Sequence, residues 1–531
     1  MTTILNFKDV VDLPKWRILA TGHRNLDGFS NNGPFFVSDF RNNEDRHPFI
    51  YNLTGPTIFS SYNVKTDAWI ALNSPGLLNA MNSGATGVFM PAQGPRGVLA
   101  AGSTATDVVI STVLPATVGT NQLANRGDGR GFKIRIIGSA AGSSGKTEER
   151  IIIGNTSGTT PTITLDSALS FVPIIGDAYE FLSGRVFLLN AGAPVAGQFK
   201  YYDTATNSFS GNLSVVNLPT INNDSAIIGL DELYVPFDLS PGQGFYSNLT
   251  STATAATTIT GQAVGGDTGV SINEHRNFQI RIVQDTVTPT AVGQRRNITS
   301  HTAGPSPVYT VPAWTVTPSA GALFVIENNG DRILLWTSTN INTFTYQIAT
   351  NAWDSSVTFS ARPAVIGATG VWAAHCFSIE PDIDKNARHS FIFSGRGSGF
   401  IIDLFDISGA ATGVWTGSIT YGNSSTPLLG VGFAAVHEPS TNQGRYIYFN
   451  DCIANFSQSP FGFQYTYRFD IKNRSFEPFV FLKTATIGAN FQQNQRMAYT
   501  VFVDGNTKLS FIIVAIQGLG PAQIYGLPIT R

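Results

Sequence analysis

A ten-residue phrase recurs along this chain and restricts the folds open to it. Residues 344–353, FTYQIATNAW, read as a strand, a tight turn and the start of a second strand. Phe344, Tyr346 and Ile348 alternate with Thr345 and Gln347, the period-2 pattern of a strand with one buried face. Ala349, Thr350 and Asn351 supply small and polar turn residues, and Trp353 closes the unit. Residues 199–209 (FKYYDTATNSF), 61–69 (SYNVKTDAW) and 467–476 (YRFDIKNRSF) repeat it. A looser copy runs from Leu404 to Ser408 and reaches Trp415 after a Gly/Ala-rich turn. Units this short cannot bury their own apolar face, so the repetition implies an array in which neighbours cover one another.

Composition agrees with an all-β array. The 531 residues are 42% hydrophobic and 13% charged, with 53 Gly and 27 Pro, which suits many short strands joined by turns. A net charge of -2 leaves no electrostatic footprint for nucleic acid or an acidic membrane surface. Cys376 and Cys452 are too few for a disulfide framework and read as buried thiols. Residues 1–9 have no basic segment followed by an apolar run, so no secretory leader is expected. No apolar run approaches the ~20 residues of a membrane helix. The expectation is a protein made in a cytosol, with no nucleic-acid or membrane partner.

Taken in order, the chain opens with a strand candidate at 13–19 that has no hairpin partner nearby. Four-stranded units follow from about residue 33. The first spans 33–72. The fourth has strands at 371–377, 389–393, 400–407 and 414–421; the fifth at 431–436, 446–449, 464–471 and 475–482. Four-stranded units of roughly 40–50 residues, radially repeated, are the signature of a β-propeller. The last unit has three strand candidates, 497–503, 508–515 and 522–527. The orphan strand around 16–20 is expected to supply its fourth and cover the open edge. The count comes to about six blades.

Two units are swollen, between Trp69 and Phe209 and between Phe209 and Trp353. Their excess is itself a repeat. Residues 132–137, FKIRII, match 278–283, FQIRIV, at an offset of 278 − 132 = 146. Arg150 matches Arg296, and Ile152 matches Ile298, at the same offset. Downstream, 162–165 answers 308–311 and 179–181 answers 324–326. The reading is two homologous small β-sandwich or barrel insertions, 102–184 and 238–330, each between the first and second strands of its blade. The propeller then comprises 1–101, 185–237 and 331–531.

The strand–turn–aromatic unit resembles kelch-like propeller repeats, without the paired-Gly strand in most units. The inserts resemble a module of tailed-bacteriophage structural proteins. The shared pattern is an F-x-I-R-I start, a Gly/Ser-rich loop (138–145), a polar stretch ending in Arg150 or Arg296, a T-x-T-hydrophobic strand and a final aromatic strand. That resemblance implies a virion component of head, neck or tail, a structural scaffold contacting other virion proteins in several copies around a symmetric axis. The alternatives are a host-surface glycan-binding attachment protein and a kelch-like carbohydrate-active enzyme.

No residue set stands out as catalytic, cofactor-binding or metal-ligating. The seven histidines, His23, His47, His275, His301, His375, His389 and His437, include no H-x-H, H-x-x-H or H-E-x-x-H spacing. His375 and His437 occupy corresponding places on first strands of adjacent units and read as a hydrogen-bonded structural pair. Residues 382–386 begin like a calcium loop, but Ala387 replaces the required Gly and Phe393 the required Glu. Gly127, Gly129 and Gly131 have the spacing of a phosphate cradle but precede a strand rather than a helix, so they read as a linker. Asp406 to Gly409 with Trp415 resembles one sialidase-type turn at the wrong spacing, with no second copy. The expectation is no enzyme activity and no cofactor.

Overall fold

The computed structural model describes residues 17–21, 36–38, 46–47, 49–53, 58–63, 68–76, 85–90, 93–127, 129–138, 147–222, 225–229, 249–261, 272–273, 275–276, 279–327, 332–337, 339–355, 359–363, 372–377, 390–396, 401–406, 412–420, 434–437, 446–452, 463–470, 473, 475–483, 496–504, 507–516 and 523–529. Among them the chain is all β, with no α-helix.

The recurrent phrase folds as a hairpin because its turn chemistry and its tyrosine cooperate. Phe344–Gln347 pairs antiparallel with Ala352–Trp353, and Asn351 closes the turn at φ 49. Asn tolerates this left-handed backbone better than other side chains because its amide bonds locally. Here Oδ1 accepts from the Tyr346 hydroxyl at 2.8 Å. The copy at 199–209 repeats the device. Asn207 sits at φ 51 and accepts from the Tyr202 hydroxyl at 2.9 Å.

Six sheets carry such units. The first holds Phe36–Ser38, Phe49–Leu53, Phe59–Asn63 and Ala68–Ala71 side by side in chain order. The second holds Thr86–Met90, Arg185–Leu189, Phe199–Asp203 and Ser208–Phe209. The third holds Ala226–Gly229, Arg332–Trp336, Phe344–Gln347 and Ala352–Trp353. The fourth runs Trp372–Phe377, Ser390–Arg396, Ile401–Asp406, Val414–Thr420, and the fifth Ala434–His437, Tyr446–Cys452, Phe463–Asp470, Ser475–Lys483. The sixth has Arg496–Asp504, Thr507–Ile516 and Gln523–Ile529 from the C-terminal end. It takes Arg17–Thr21 from the other end of the chain, with Arg17 opposite Gly526 and Thr21 opposite Gln523. Arg46–His47 pairs on its far side. The first strands of the six sheets touch in sequence, first to second through to sixth, and the sixth touches the first.

Stacking of sheet on sheet changes the meaning of the alternation. A strand with one wet face was expected, yet Thr345 (2% exposed) is as buried as Tyr346 (1%). Phe59–Asn63 is buried along its whole length. Two packed faces leave no solvent side, so the period-2 pattern sorts residues between two dry surfaces. Tyr51, Phe59, Phe89, Val186 and Tyr202 cluster between the first and second sheets. Val88, Phe187, Phe199, Ile333, Tyr346 and Trp353 do so between the second and third. The closing tryptophans add a polar tie. Trp353 Nε1 donates to Ser214 O at 3.1 Å and Trp415 Nε1 to Ser360 O at 2.9 Å. Each reaches the loop that leaves the preceding sheet.

Between Met90 and Arg185 the chain makes a separate sheet. Its order is Arg96–Val98, Ala178–Phe181, Lys133–Ile137, Thr147–Asn155, Thr162–Leu165 and Asp107–Val109. The two edges meet through the Leu99–Ile110 bridge and the bond from Ser111 N to Val98 O, 3.0 Å. The sheet therefore curls on itself around Ile134, Ile136, Ile152, Ile163, Tyr179 and Phe181. Arg96–Val98 belongs to it, so the inserted structure begins before residue 102.

A second inserted sheet lies between Gly229 and Arg332. It contains Leu249–Ala255, Thr258–Gly261, Gln279–Gln284, Arg295–Asn297, Ser300–His301, Val308–Thr310 and Leu323–Glu327. Arg295–Asn297 and Ser300–His301 form its two margins. Together they are one short stretch of chain, answering the long strand Thr147–Asn155 of the first copy. Read as a cycle, the strand order is the same in both. Even side-chain anchors recur: Arg150 Nε donates to Ala168 O at 3.2 Å, and Arg296 Nε to Ala313 O at 2.9 Å.

Candidate functional site

The two inserted sheets meet at a charged joint. Arg135 lies mid-strand, with Glu149 opposite on one neighbour and Glu180 opposite on the other. A guanidinium buried this fully needs carboxylates to replace its water. Nε donates to Glu149 Oε1 at 2.9 Å, and Nη1 to Glu180 Oε2 at 3.1 Å. Arg281 is the equivalent, equally buried residue of the second copy. Its cross-strand neighbours are Arg295 and Val325. The second copy thus has a base and an apolar residue where the first has two acids.

Arg295 turns that difference into a contact. Its Nη2 donates to Glu180 Oε2, in the first copy, at 2.8 Å. The Glu180 side chain is 1% exposed and that of Arg295 21%. Arg96 Nη2 stands 3.8 Å from the other Glu180 oxygen. Beside this cluster Gly293, at φ 84, lies against Ile137 of the first copy. A Cβ there would sit 3.0 Å from Ile137 Cγ2.

A cleft of about 220 Å³ opens where the first inserted sheet meets the first and second sheets. Tyr51, Tyr202 and Phe132 line it together with Asn125, Arg126 and Gly127. Gln122 Nε2 donates to Ala205 O at 3.2 Å and pins the inserted sheet to the turn of the second sheet. Asn73 Nδ2 also donates to Asn207 O in that turn. Of the glycine run, Gly127 lines the cleft. Gly127 and Gly129 take φ 102 and 82, and Arg126 N donates to Arg130 O at 2.8 Å. A Cβ on Gly131 would lie 1.8 Å from Ile152 O, so glycine is required there for close backbone approach. Gly129 and Gly131 lead into the strand at 133, with no helix following.

A histidine pair that no spacing rule anticipates lies inside the second inserted sheet. His275 is 0% and His301 3% exposed, with ring centroids 5.2 Å apart. His275 N donates to His301 Nε2 at 2.8 Å, and His301 Nδ1 lies 2.8 Å from Thr302 O. His275 Nδ1 is 3.2 Å from the Tyr309 hydroxyl. Burial lowers the His275 pKa well below the ordinary histidine value, with help from His301. It lowers that of His301 to about 4. The repeat offset was the available signal: it places His301 on Asn155 and Tyr309 on Ile163.

His375 and His437 lie on touching first strands of the fourth and fifth sheets; the side-chain pairing expected of them lies outside the described residues. So do the side chains of His47, Cys376 and Cys452, and residues His23, His389, 382–386 and 407–409. Asp406 ends the third strand of the fourth sheet. Among the described residues no group of three or more His, Cys, Asp or Glu is placed to hold a metal, and no helix is long and apolar enough to cross a membrane.

No protein family and no curated protein sequence matches the chain. Among solved structures, the NanB sialidase from Streptococcus pneumoniae is 7% identical, over 94% of this chain and 92% of that one, with a TM-score of 0.25. The dihydro-heme d1 dehydrogenase NirN is 8% identical over 81% and 80%, with a TM-score of 0.22. The tricorn protease is 9% identical over 91% and 47%, with a TM-score of 0.18. Likenesses of that order carry no argument about activity. The chain is an all-β protein of repeated antiparallel sheets with two curled inserted sheets.

Proposed function

We propose that this chain is a structural component of a tailed-bacteriophage particle, a non-enzymatic protein–protein scaffold of head, neck or tail. In this reading the six sheets are the blades of a kelch-like β-propeller. The contact of each first strand with the next, and of the sixth with the first, supports it. The N-terminal strand on the last sheet supports it too, since it gives that sheet its outer strand and covers the edge of Gln523–Ile529.

The observation that carries the functional reading is the joint at Glu180 and Arg295. It ties two copies of one module into a single body on the propeller. Such a body offers neighbouring virion proteins two related surfaces at fixed spacing. A second contact made from a fixed first one works at an effective concentration in the millimolar range, so weak contacts suffice. Quantitative mass spectrometry of purified particles, with chemical cross-linking, tests this. The expected result is several copies of the chain per particle and cross-links from 96–181 and 249–327 to other virion proteins. Absence of the chain from the particles refutes the reading.

The cleft favours a second reading, attachment to a host-surface glycan. The amide of Asn125 and the guanidinium of Arg126 in its concave wall suit a hydroxyl-rich ring. Glycan-array binding that disappears on Arg126→Ala, with the fold intact, would move this reading to first place.

A further inference from the structure

We propose that the second inserted sheet contains an acid-sensitive lock, in which the neutral His301 ring holds the backbone at His275 and releases it on protonation. The hydrogen bonds fix the charge state by themselves. A carbonyl oxygen only accepts, so His301 Nδ1 must carry the proton that it gives to Thr302 O, 2.8 Å away. A backbone N–H only donates, so Nε2 must be the bare acceptor of His275 N, at 2.8 Å. A second proton on Nε2 would set two donors against each other inside a buried core.

The first copy supplies an internal control. There Asn121 stands at φ 57, and in the second copy Asn273 stands at φ 61. Asn121 N donates to Asn155 O at 2.9 Å, and Asn273 N to His301 O at 3.2 Å. The next link also matches, because Asn155 Oδ1 accepts from Leu123 N at 2.9 Å. His301 therefore does the work of Asn155, and His275 stands where Leu123 packs. An asparagine and a leucine bind no proton between pH 7 and 5. Two histidines do once they reach water.

Among the described residues the second ring, the Tyr309 hydroxyl and the Arg276 guanidinium face the lock. Arg276 Nε donates to Thr299 O at 2.9 Å. Its charge acts on His301 in the same direction as burial, and the Thr302 carbonyl opposes both. Above the ordinary histidine value near 6.5 neither the closed nor the opened sheet binds the proton. Below it the opened form binds protons that the closed form refuses. Closure is therefore fully stable above that pH and weakens as pH falls, about tenfold per pH unit for each histidine.

Hydrogen exchange on the full chain tests this, with protection factors corrected for intrinsic rates. Between pH 7 and 5, protection of Gln279–Gln284 and Val308–Thr310 should fall at least tenfold. Protection of Lys133–Ile137 and Thr162–Leu165 should change little. Grafting the first copy's residues, His275→Leu with His301→Asn, should remove the difference. Exchange of the imidazole Cε1 protons gives a second readout that needs no variant. Titration of His301 in the folded chain near 4 supports the lock, and titration near 6.5 overturns it. Equal pH response of the two inserted sheets also overturns it.

Discussion

Arg295 donates to Glu180 across 2.8 Å, from one inserted sheet to the other. The same carboxylate oxygen also accepts from Arg135 of its own sheet at 3.1 Å. One buried carboxylate oxygen thus accepts from two guanidiniums, and the fold of the first copy shares a partner with the contact between copies. Residues in one such network couple energetically, commonly by 0.5–3 kcal/mol.

A double-mutant cycle reads that coupling. Glu180→Gln and Arg295→Met, singly and together, should be non-additive by about 1–3 kcal/mol. The readout is hydrogen-exchange stability of Lys133–Ile137. Additivity within ~0.5 kcal/mol would show that the joint contributes nothing beyond its separate parts.

Arg135 itself is the more expensive residue to lose. Arg135→Met leaves the Glu149 and Glu180 carboxylates without the guanidinium between them, and breaking a buried pair from one side costs about 3–5 kcal/mol. Adding Glu149→Gln to Arg135→Met should restore part of that loss. Denaturation followed by exchange in 96–181 checks both. A single variant as stable as the parent would contradict the network.

The hairpin turns make a separate prediction. Asn351 supplies both the φ 49 backbone and the acceptor for Tyr346, and it also accepts from Ser214 N at 2.8 Å. Asn351→Gly keeps the backbone and loses only the hydrogen bonds, each worth about 0.5–1.5 kcal/mol. Asn351→Ala adds ~1 kcal/mol of left-handed strain. The expected order of melting temperature is parent, glycine, alanine. Alanine equal to glycine would remove the strain from the account.

Much of this architecture was legible in the sequence, and the illegible parts have physical reasons. A tyrosine or phenylalanine, the polar turn and the closing aromatic mark each hairpin because the turn and the core both need them. The unfinished last unit and the orphan N-terminal strand point to each other, and Arg17–Thr21 does pair with Gln523–Ile529. Arg96–Val98 was missed because Gly97 interrupts its pattern. A Cβ there would lie 2.2 Å from Thr112 Oγ1, so packing has overridden strand propensity. The joint was missed for a different reason. The repeat offset sets Arg295 beside Glu149, but a charge reversal becomes a contact only when two copies face each other. Sequence does not give that orientation.

The N-terminal pairing predicts a strong truncation phenotype. Deleting residues 1–25 removes the partner of Gln523–Ile529 and bares a long apolar edge. Size-exclusion chromatography and thermal melting should show aggregation and a lower melting temperature. A monomeric truncated chain with an unchanged melt would mean that the strand adds no stability to the last sheet.

Copy number in purified particles assembled with chains lacking one or both inserted sheets tests the scaffold role most directly. Each should be replaced by a short Gly/Ser loop between Met90 and Arg185, or between Gly229 and Arg332. If the inserted pair holds the chain in the particle, one deletion lowers the copy number and the double deletion abolishes incorporation. The isolated remainder still folds, and host adsorption falls only in step with copy number. Full copy number with both inserted sheets gone, together with lost adsorption, would contradict the account and make those sheets receptor readers.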